Sequence, residues 1–193
     1  SSLGMAVATD VVPAWANRGS SHSWNVLVEE GNIHPFNPFW EQGLWQYRRL
    51  YNNVDYHKYW GRFRLPKVFR KTYRHYMEGP LADGVPAKDI PEAFRSLRKK
   101  DVSHEDFDTV NVRIKLRKVP SGMKYAYLCV WNYNNWRPVH FGKITGDVAS
   151  FSGMGKDIVY LPMYCMDGEM VVAADPVLVQ KDGKMRILCP EDA

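Results

Sequence analysis

The sequence has no long hydrophobic run. No window of its 193 residues approaches the roughly 20 consecutive apolar residues that a membrane-spanning helix needs. The segment from Ser1 to Ala8 has neither the basic start nor the long apolar core of a signal peptide. We therefore expect no membrane span, and we expect this apolar start to be a strand that lies within a longer protein.

Cysteine is also scarce. The three residues Cys129, Cys165 and Cys189 are far apart and form no Cys-x-x-Cys or Cys/His spacing typical of a zinc site. We therefore expect neither a metal nor another cofactor. An odd number excludes a complete disulfide framework, and a single disulfide stays open as an alternative if the protein is exported. The simplest interpretation is that each thiol is a small buried apolar group.

Acidic residues are few in the central stretch 40–76, although the net charge of the whole chain is only +5. Lys and Arg alternate there with Trp and Tyr, and such interleaving can stack on bases and neutralise phosphates. The stretch contains no recognised nucleic-acid-binding motif, however. A solvated, arginine-rich surface is the simpler interpretation, and we do not expect a nucleic-acid partner.

Apolar runs and alternation indicate the first strands. Residues 4–14 are rich in Val and predict a strand, and a polar loop follows at 15–21. Residues 22–29 alternate with a period of two, so that four side chains share one face: His22, Trp24, Val26 and Val28. A turn signal at 30–32 and a short strand at 33–37 complete a predicted hairpin.

The second half of the chain has a different texture. Short alternating segments recur at roughly ten-residue spacing and are separated by Gly, Asp and Pro turns, which is typical of an antiparallel sandwich or jelly roll. The predicted strands are 108–118, 123–131, 136–144, 148–151, 157–164, 169–173, 177–180 and 184–189. The predicted fold is α+β and predominantly β. Three parts are expected: a partial mixed sheet at 1–77, a linker at 78–100, and a β-sandwich at 101–193.

His22 is the one histidine whose context suggests catalysis. It begins an alternating strand directly after a polar loop, where a side chain can face a cleft. A nucleophilic Cys or Ser needs a base within hydrogen-bond reach, and the base needs an orienting group. If the hairpin turns between Glu30 and Gly31, Asn37 lies opposite Trp24 and diagonal to His22, within side-chain reach. A shift of one residue would move Asn37 to the other face. The alternative is a half-buried structural histidine.

These residues resemble the latter half of the transglutaminase-like core. The matching segments are the apolar strand and loop at 4–18, the pattern His22-Ser-Trp24-Asn25, and the pattern Gly31-x-x-x-Pro35-x-Asn37-Pro38. Looser similarity to bacterial envelope or secreted members of the superfamily continues at 67–73, 136–142 and 160–164. The resemblance implies a partial papain-like sheet with His22 as general base. It implies Asn37 as orienting group where the family has Asp, and a substrate cleft formed by Trp15, Trp24 and Asn25.

The resemblance also implies that the nucleophile is a Cys on a helix preceding Gly4, so this chain is expected to lack it. The expected function is therefore that of a fragment of a Cys-His-Asn/Asp amide hydrolase or acyl transferase, with a peptide or protein substrate, inactive alone. An extracytoplasmic location is implied in the same way. Because the surface that such a helix covers would be exposed, we expect Leu3, Met5 and Val7 to pack against a second chain.

A non-catalytic binding module is the alternative function. The predicted turn near residue 134 carries three aromatic side chains among amides, and aromatic faces with amides can stack on sugar rings and hydrogen-bond their hydroxyls. These residues are Trp131, Tyr133 and Trp136. The alternative to a glycan site is that Trp131 and Trp136 belong to the hydrophobic core at the strand ends.

Overall fold

A computed structural model describes residues 4, 6–16, 19–29, 32–36 and 64–189. Over these residues the chain is mostly β, and it forms two antiparallel sheets, one of which is nearly closed. The prediction of a predominantly β chain is confirmed. Among the described residues, no helix is long and apolar enough to cross a membrane.

The first sheet has five strands in the order β3-β2-β1-β4-β5. Their bounds are Val7–Val12 for β1, His22–Glu29 for β2, Asn32–Phe36 for β3, Phe69–Lys71 for β4 and Lys99–Asp101 for β5. One face of β1 and β2 is buried, as the alternation of β2 predicts. Its apolar cluster includes Val12, Trp24 and Val26.

The β2–β3 hairpin has the register that the sequence suggested. Glu29 pairs with Asn32 and Asn25 pairs with Phe36, so the chain reverses direction between Glu29 and Asn32. The prediction for His22 and Asn37 assumed this register, and the described pairs of β2 and β3 agree with it. Asn37 itself lies outside the described residues, as do Leu3, Met5 and the stretch 37–63.

The second sheet has eight strands, ordered β13-β12-β10-β7-β8-β9-β6, with β11 paired to β10. Their bounds are Val110–Lys115 for β6, Tyr125–Asn132 for β7, Asn135–Thr145 for β8, Val148–Met154 for β9, Ile158–Met166 for β10, Glu169–Val172 for β11, Val177–Val179 for β12 and Met185–Ile187 for β13. All eight predicted strands are present within a few residues of their predicted bounds. We call this sheet the barrel because it curls until it is nearly closed.

The barrel buries alternate side chains of its strands. Ala126, Leu128 and Val130 of β7 point into an apolar cluster, together with Ala149 and Phe151 of β9. The intervening residues of β7 face outward, and most of them are covered by the segment that connects β4 to β5. That segment, predicted as a linker at 78–100, contains two short 3₁₀ turns, Ala87–Asp89 and Glu92–Phe94, and ends in β5.

The two sheets are joined by buried polar contacts. The Lys67 side chain is fully buried; its Nζ lies 2.5 Å from the carboxylate of Asp101 and donates to the carbonyl oxygens of Ser152 and Gly153 on β9. A four-residue helix α1, Ser103–Asp106, follows β5, and the Ser103 hydroxyl accepts a hydrogen bond from the Val68 amide. A buried charge is tolerated only when it is paired and hydrogen-bonded, so these contacts hold the sheets in one relative position.

Candidate functional site

His22 lies on the buried face of β2, between two indole rings. Its ring centroid is 6.2 Å from that of Trp15 and 6.2 Å from that of Trp24, with which it is stacked at 22°. Both tryptophans are almost completely buried, at 4% and 2% exposure. Burial lowers the pKa of His22 below its ordinary value and so favours the neutral imidazole. A neutral imidazole can accept a proton, which a general base requires.

An acid lies diagonal to His22 on the same face. Asp10 pairs with Trp24 across β1 and β2, two residues along each strand from the pair between Val12 and His22. Asp10 is fully buried, and both of its carboxylate oxygens accept hydrogen bonds from Arg70, at 2.8 and 2.9 Å. The bidentate pair with the guanidinium compensates the charge of this buried carboxylate and links β1 to β4.

The loop before His22 is held by the barrel. Asn132, the last residue of β7, donates from Nδ2 to the carbonyl oxygens of Trp15 and Ser20 and accepts from the Ser20 amide. Trp15 and Ser20 are also joined by a backbone hydrogen bond. The barrel therefore fixes the loop that places the Trp15 ring against His22.

The tip of the β7–β8 hairpin carries the three aromatic residues predicted to bind glycans. Trp131 is 50% exposed, Tyr133 is 76% exposed, and Trp136 is partly buried. The rings of Trp131 and Trp136 meet edge to face, with centroids 5.5 Å apart. Tyr133 has a φ of 60°, and its ring covers Gly19 so closely that a Cβ there would overlap the ring. Two of the three aromatic side chains are thus open to solvent beside the His22 loop.

The other predicted site residues have separate positions. Asn25 is on β2, and its side chain points to the face opposite His22 because successive strand residues alternate. The structure therefore brings Trp15 and Trp24 to His22 but does not bring Asn25 to it. Asn37 lies outside the described residues.

None of the cysteines adjoins this site in the part of the chain that the structure describes. Cys129 and Cys165 are buried on the outer face of the barrel, under the segment 78–97, and Cys189 is exposed. Burial, reinforced by the neighbouring Cys165, raises the pKa of the Cys129 thiol, and burial also raises that of Cys165. Thiols held in the protonated form are poor nucleophiles.

Sequence reasoning missed a second cluster of polar residues between the two sheets. It contains Lys67, Asp101 and His140, and a cavity of about 220 Å³ lies beside it. Pro138, two residues before His140, is the feature of the sequence that could have indicated this position. Proline inside a strand indicates an edge or a bulge. The structure has that bulge, since Cys129 pairs with Pro138 and Leu128 with His140, which leaves Val139 as an extra residue on β8. Bulges re-aim side chains.

No group of three or more His, Cys, Asp or Glu residues that could hold a metal ion occurs within the described ranges. Comparisons of this chain with protein-family models, with curated proteins and with solved structures found no match. The resemblance to the transglutaminase-like superfamily therefore stays a prediction that depends on the sequence motifs.

Proposed function

We propose that this chain carries the histidine side of a transglutaminase-like site that hydrolyses or transfers amide bonds in a peptide or protein substrate. In this proposal the first sheet is the latter part of a papain-like core, and the barrel is the β-sandwich that follows it. The observation that carries the proposal is the placement of His22. It is the first residue of β2, it lies between two tryptophan rings, and its hairpin has the register that the catalytic arrangement requires.

The roles follow from the chemistry of the residues. A cysteine other than the three of this chain attacks the amide carbon, and the neutral His22 imidazole takes the thiol proton. The resulting imidazolium then gives its proton to the leaving amine. Asn37 holds the imidazole tautomer by hydrogen bonding, as in Cys-His-Asn sites. The indole rings of Trp15 and Trp24 fix the plane of the imidazole and keep it largely free of water.

The test uses the protein translated from the whole open reading frame that encodes this chain. We expect one thiol to react with iodoacetamide at pH 7 faster than an ordinary cysteine, because the histidine draws off its proton. We expect His22→Ala to slow the amide hydrolysis by roughly 10²–10⁴-fold, the usual contribution of a general base. The labelling should slow by up to about 30-fold, because a thiol with an ordinary pKa of about 8.5 keeps only a small thiolate fraction at pH 7.

The matched control is His34→Ala, which removes an exposed histidine from the same hairpin. Labelling in this variant should equal that of the unchanged protein. Equal labelling rates in His22→Ala and the unchanged protein would refute the role of His22. If Cys189, the exposed thiol of the barrel, is the only cysteine labelled, the proposal of a reactive cysteine beside His22 is refuted.

Glycan binding at the hairpin tip is the second candidate function. It is favoured by the exposure of Trp131 and Tyr133 beside the amide-bearing turn, because exposed aromatic faces can stack on sugar rings. We expect a titration with mono- and disaccharides to quench tryptophan fluorescence in a saturable way, and Trp131→Ala to abolish the change. If no sugar changes the fluorescence at millimolar concentration, this function is excluded.

A further inference from the structure

The cavity between the two sheets is built from both of them. The first sheet contributes Phe69, Lys99 and Asp101, which share one face because Phe69 pairs with Asp101 and Lys71 with Lys99. The barrel contributes Phe141 and His140 of β8 and the outward-facing serines of β9. The segment 76–97 adds Phe94 and closes one side. The cavity of about 220 Å³ therefore exists only where the sheets meet.

Aromatic side chains form one part of the cavity wall, and polar side chains form most of the rest. Phe94 and Phe141 meet edge to face with centroids 5.5 Å apart, and Tyr125 meets Phe141 in the same way at 6.0 Å. An engineered apolar cavity of roughly 150 Å³ already binds benzene. A space of about 220 Å³ therefore suits a ligand with one ring and a short polar substituent.

His140 brings an unsatisfied polar group to this cavity. The residue is 4% exposed, and its Nδ1 is buried with no hydrogen-bond partner among the described residues. Its ring is surrounded by Phe69, Phe141 and Phe151, at centroid distances of 6.0, 5.0 and 6.5 Å. Buried polar atoms almost always have partners, and the β8 bulge that turns His140 to this position interrupts the ladder. Nδ1 is therefore a buried polar atom beside the cavity that a hydrogen bond with a bound group would satisfy.

The charges around the cavity leave one cation uncompensated. Asp101 is paired with Lys67, and Lys143 at the rim is paired with Asp83 at 2.8 Å. Lys99 donates to the carbonyl oxygen of Ala93, and no carboxylate in the described part of the chain lies within ion-pair distance of it. Glu78 is also at the rim but is exposed to solvent. Burial lowers the pKa of Lys99, and the nearby Lys71 lowers it further, so an anion beside Lys99 would be stabilised.

We propose that this cavity binds a small carboxylic acid with an aromatic or other cyclic apolar body. The carboxylate pairs with the Lys99 ammonium, the imidazole of His140 hydrogen-bonds the ligand, and the ring packs against Phe69, Phe94 and Phe141. The site is separate from His22 and does not depend on the function proposed for it.

Phenylacetate and phenylacetamide provide the test, since the two probes have the same shape and differ in charge. Each is titrated into the ¹⁵N-labelled chain, and the shifts of the backbone amides and of the His140 ring nitrogens are followed by NMR. We expect saturable binding of phenylacetate, with the largest shifts at His140 and at the amides of Phe94 and Phe141. We expect phenylacetamide to bind about tenfold more weakly, because a hydrogen bond to a charged group is the stronger one.

Two variants separate the charge from the hydrogen bond. Lys99→Met should weaken phenylacetate by about tenfold and leave phenylacetamide unchanged, and Lys100→Met, at the exposed next position of β5, should change neither. His140→Leu keeps the side-chain volume close to that of histidine and should weaken both probes. A thermal unfolding curve for each variant shows whether it is folded.

Three results would overturn the proposal. The first is that neither phenylacetate nor phenylacetamide binds at low-millimolar concentration. The second is equal affinity for phenylacetate and phenylacetamide, which would remove the role of Lys99. The third is a set of shifts centred away from His140, for example at the groove between β6 and β13, which would place the ligand elsewhere.

Discussion

The two sheets of this protein are stabilised in different ways. The barrel buries an almost entirely apolar cluster, whereas the first sheet buries a complete ion pair, Asp10 with Arg70, and that guanidinium reaches Glu105 as well, at 2.7 Å. Two strands of the first sheet, β4 and β5, have only three residues each. The comparison indicates that the barrel is stabilised mainly by burial of apolar surface, while the first sheet combines a smaller apolar cluster with a buried ion pair and with its contacts with the barrel.

This dependence explains how the His22 loop is positioned. Asn132 of the barrel bonds Trp15 and Ser20, and the Trp15 ring then lies against His22. The barrel is therefore part of the candidate site and is more than an attached module. A substitution in the barrel can change the environment of His22 without touching the first sheet.

The largest effect is expected from Arg70→Ala. Removing one partner leaves the Asp10 carboxylate buried without a counter-ion, which typically costs about 3–5 kcal/mol. Urea unfolding followed by circular dichroism and by tryptophan fluorescence measures the loss. We expect both signals to change at a lower urea concentration than in the unchanged protein.

The double substitution Asp10→Leu with Arg70→Met sharpens this comparison. Replacing a buried ion pair by apolar residues of similar volume is often neutral or stabilising, so the double variant should recover most of the lost stability. Lys71→Ala, at an exposed position of β4, serves as control and should change the free energy of unfolding by less than about 0.5 kcal/mol. A double variant as unstable as Arg70→Ala would contradict the electrostatic explanation.

A smaller effect is expected from pH and concerns His140. Burial, reinforced by the nearby Lys67 ammonium, lowers the pKa of His140 well below that of an ordinary histidine. Since the unfolded chain takes up this proton near pH 6.5 and the folded chain does not, stability is complete above that pH and is lost as the pH falls below it. One such proton makes the free energy of unfolding fall by up to about 1.4 kcal/mol per pH unit.

Between pH 6.5 and 5, the free energy of unfolding of His140→Leu should fall less steeply with decreasing pH than that of the unchanged protein. The difference is the contribution of one proton. Part of the slope should persist, because burial lowers the pKa of His22 as well. His34→Leu, at the exposed histidine of β3, is the control, and its slope should match the unchanged protein. The measurement is urea unfolding at several pH values. An unaltered slope in His140→Leu would show that the folded protein already protonates this side chain.

The strands were largely predictable from the sequence. The period-two alternation at 22–29 predicted the bounds of β2 and its buried face, and the turns predicted all eight strands of the barrel. Alternation is a local property, because each strand buries every second side chain whichever strand it pairs with. β4 and β5 are harder to predict, since strands of three residues carry too little pattern to define them.

The polar contacts were not predictable. Asp10 and Arg70 are 60 positions apart, Lys67 and Ser152 are 85 apart, and Asn132 and Trp15 are 117 apart. No local pattern relates such residues, because their meeting depends on the strand order of each sheet and on how the two sheets pack. His140 belongs with these, since its position results from a bulge and from the approach of the first sheet.

The sequence by itself determined that the chain is β-rich, where its strands lie, and that His22 shares a face with Trp24. Only the tertiary structure decided that Arg70 occupies the Asp10 carboxylate, that the barrel holds the loop before His22, and that a cavity with a buried histidine lies between the sheets. The physical reason is the range of the interactions. Alternation acts between neighbours along one strand, whereas paired charges, buried hydrogen bonds and cavities arise where distant segments meet.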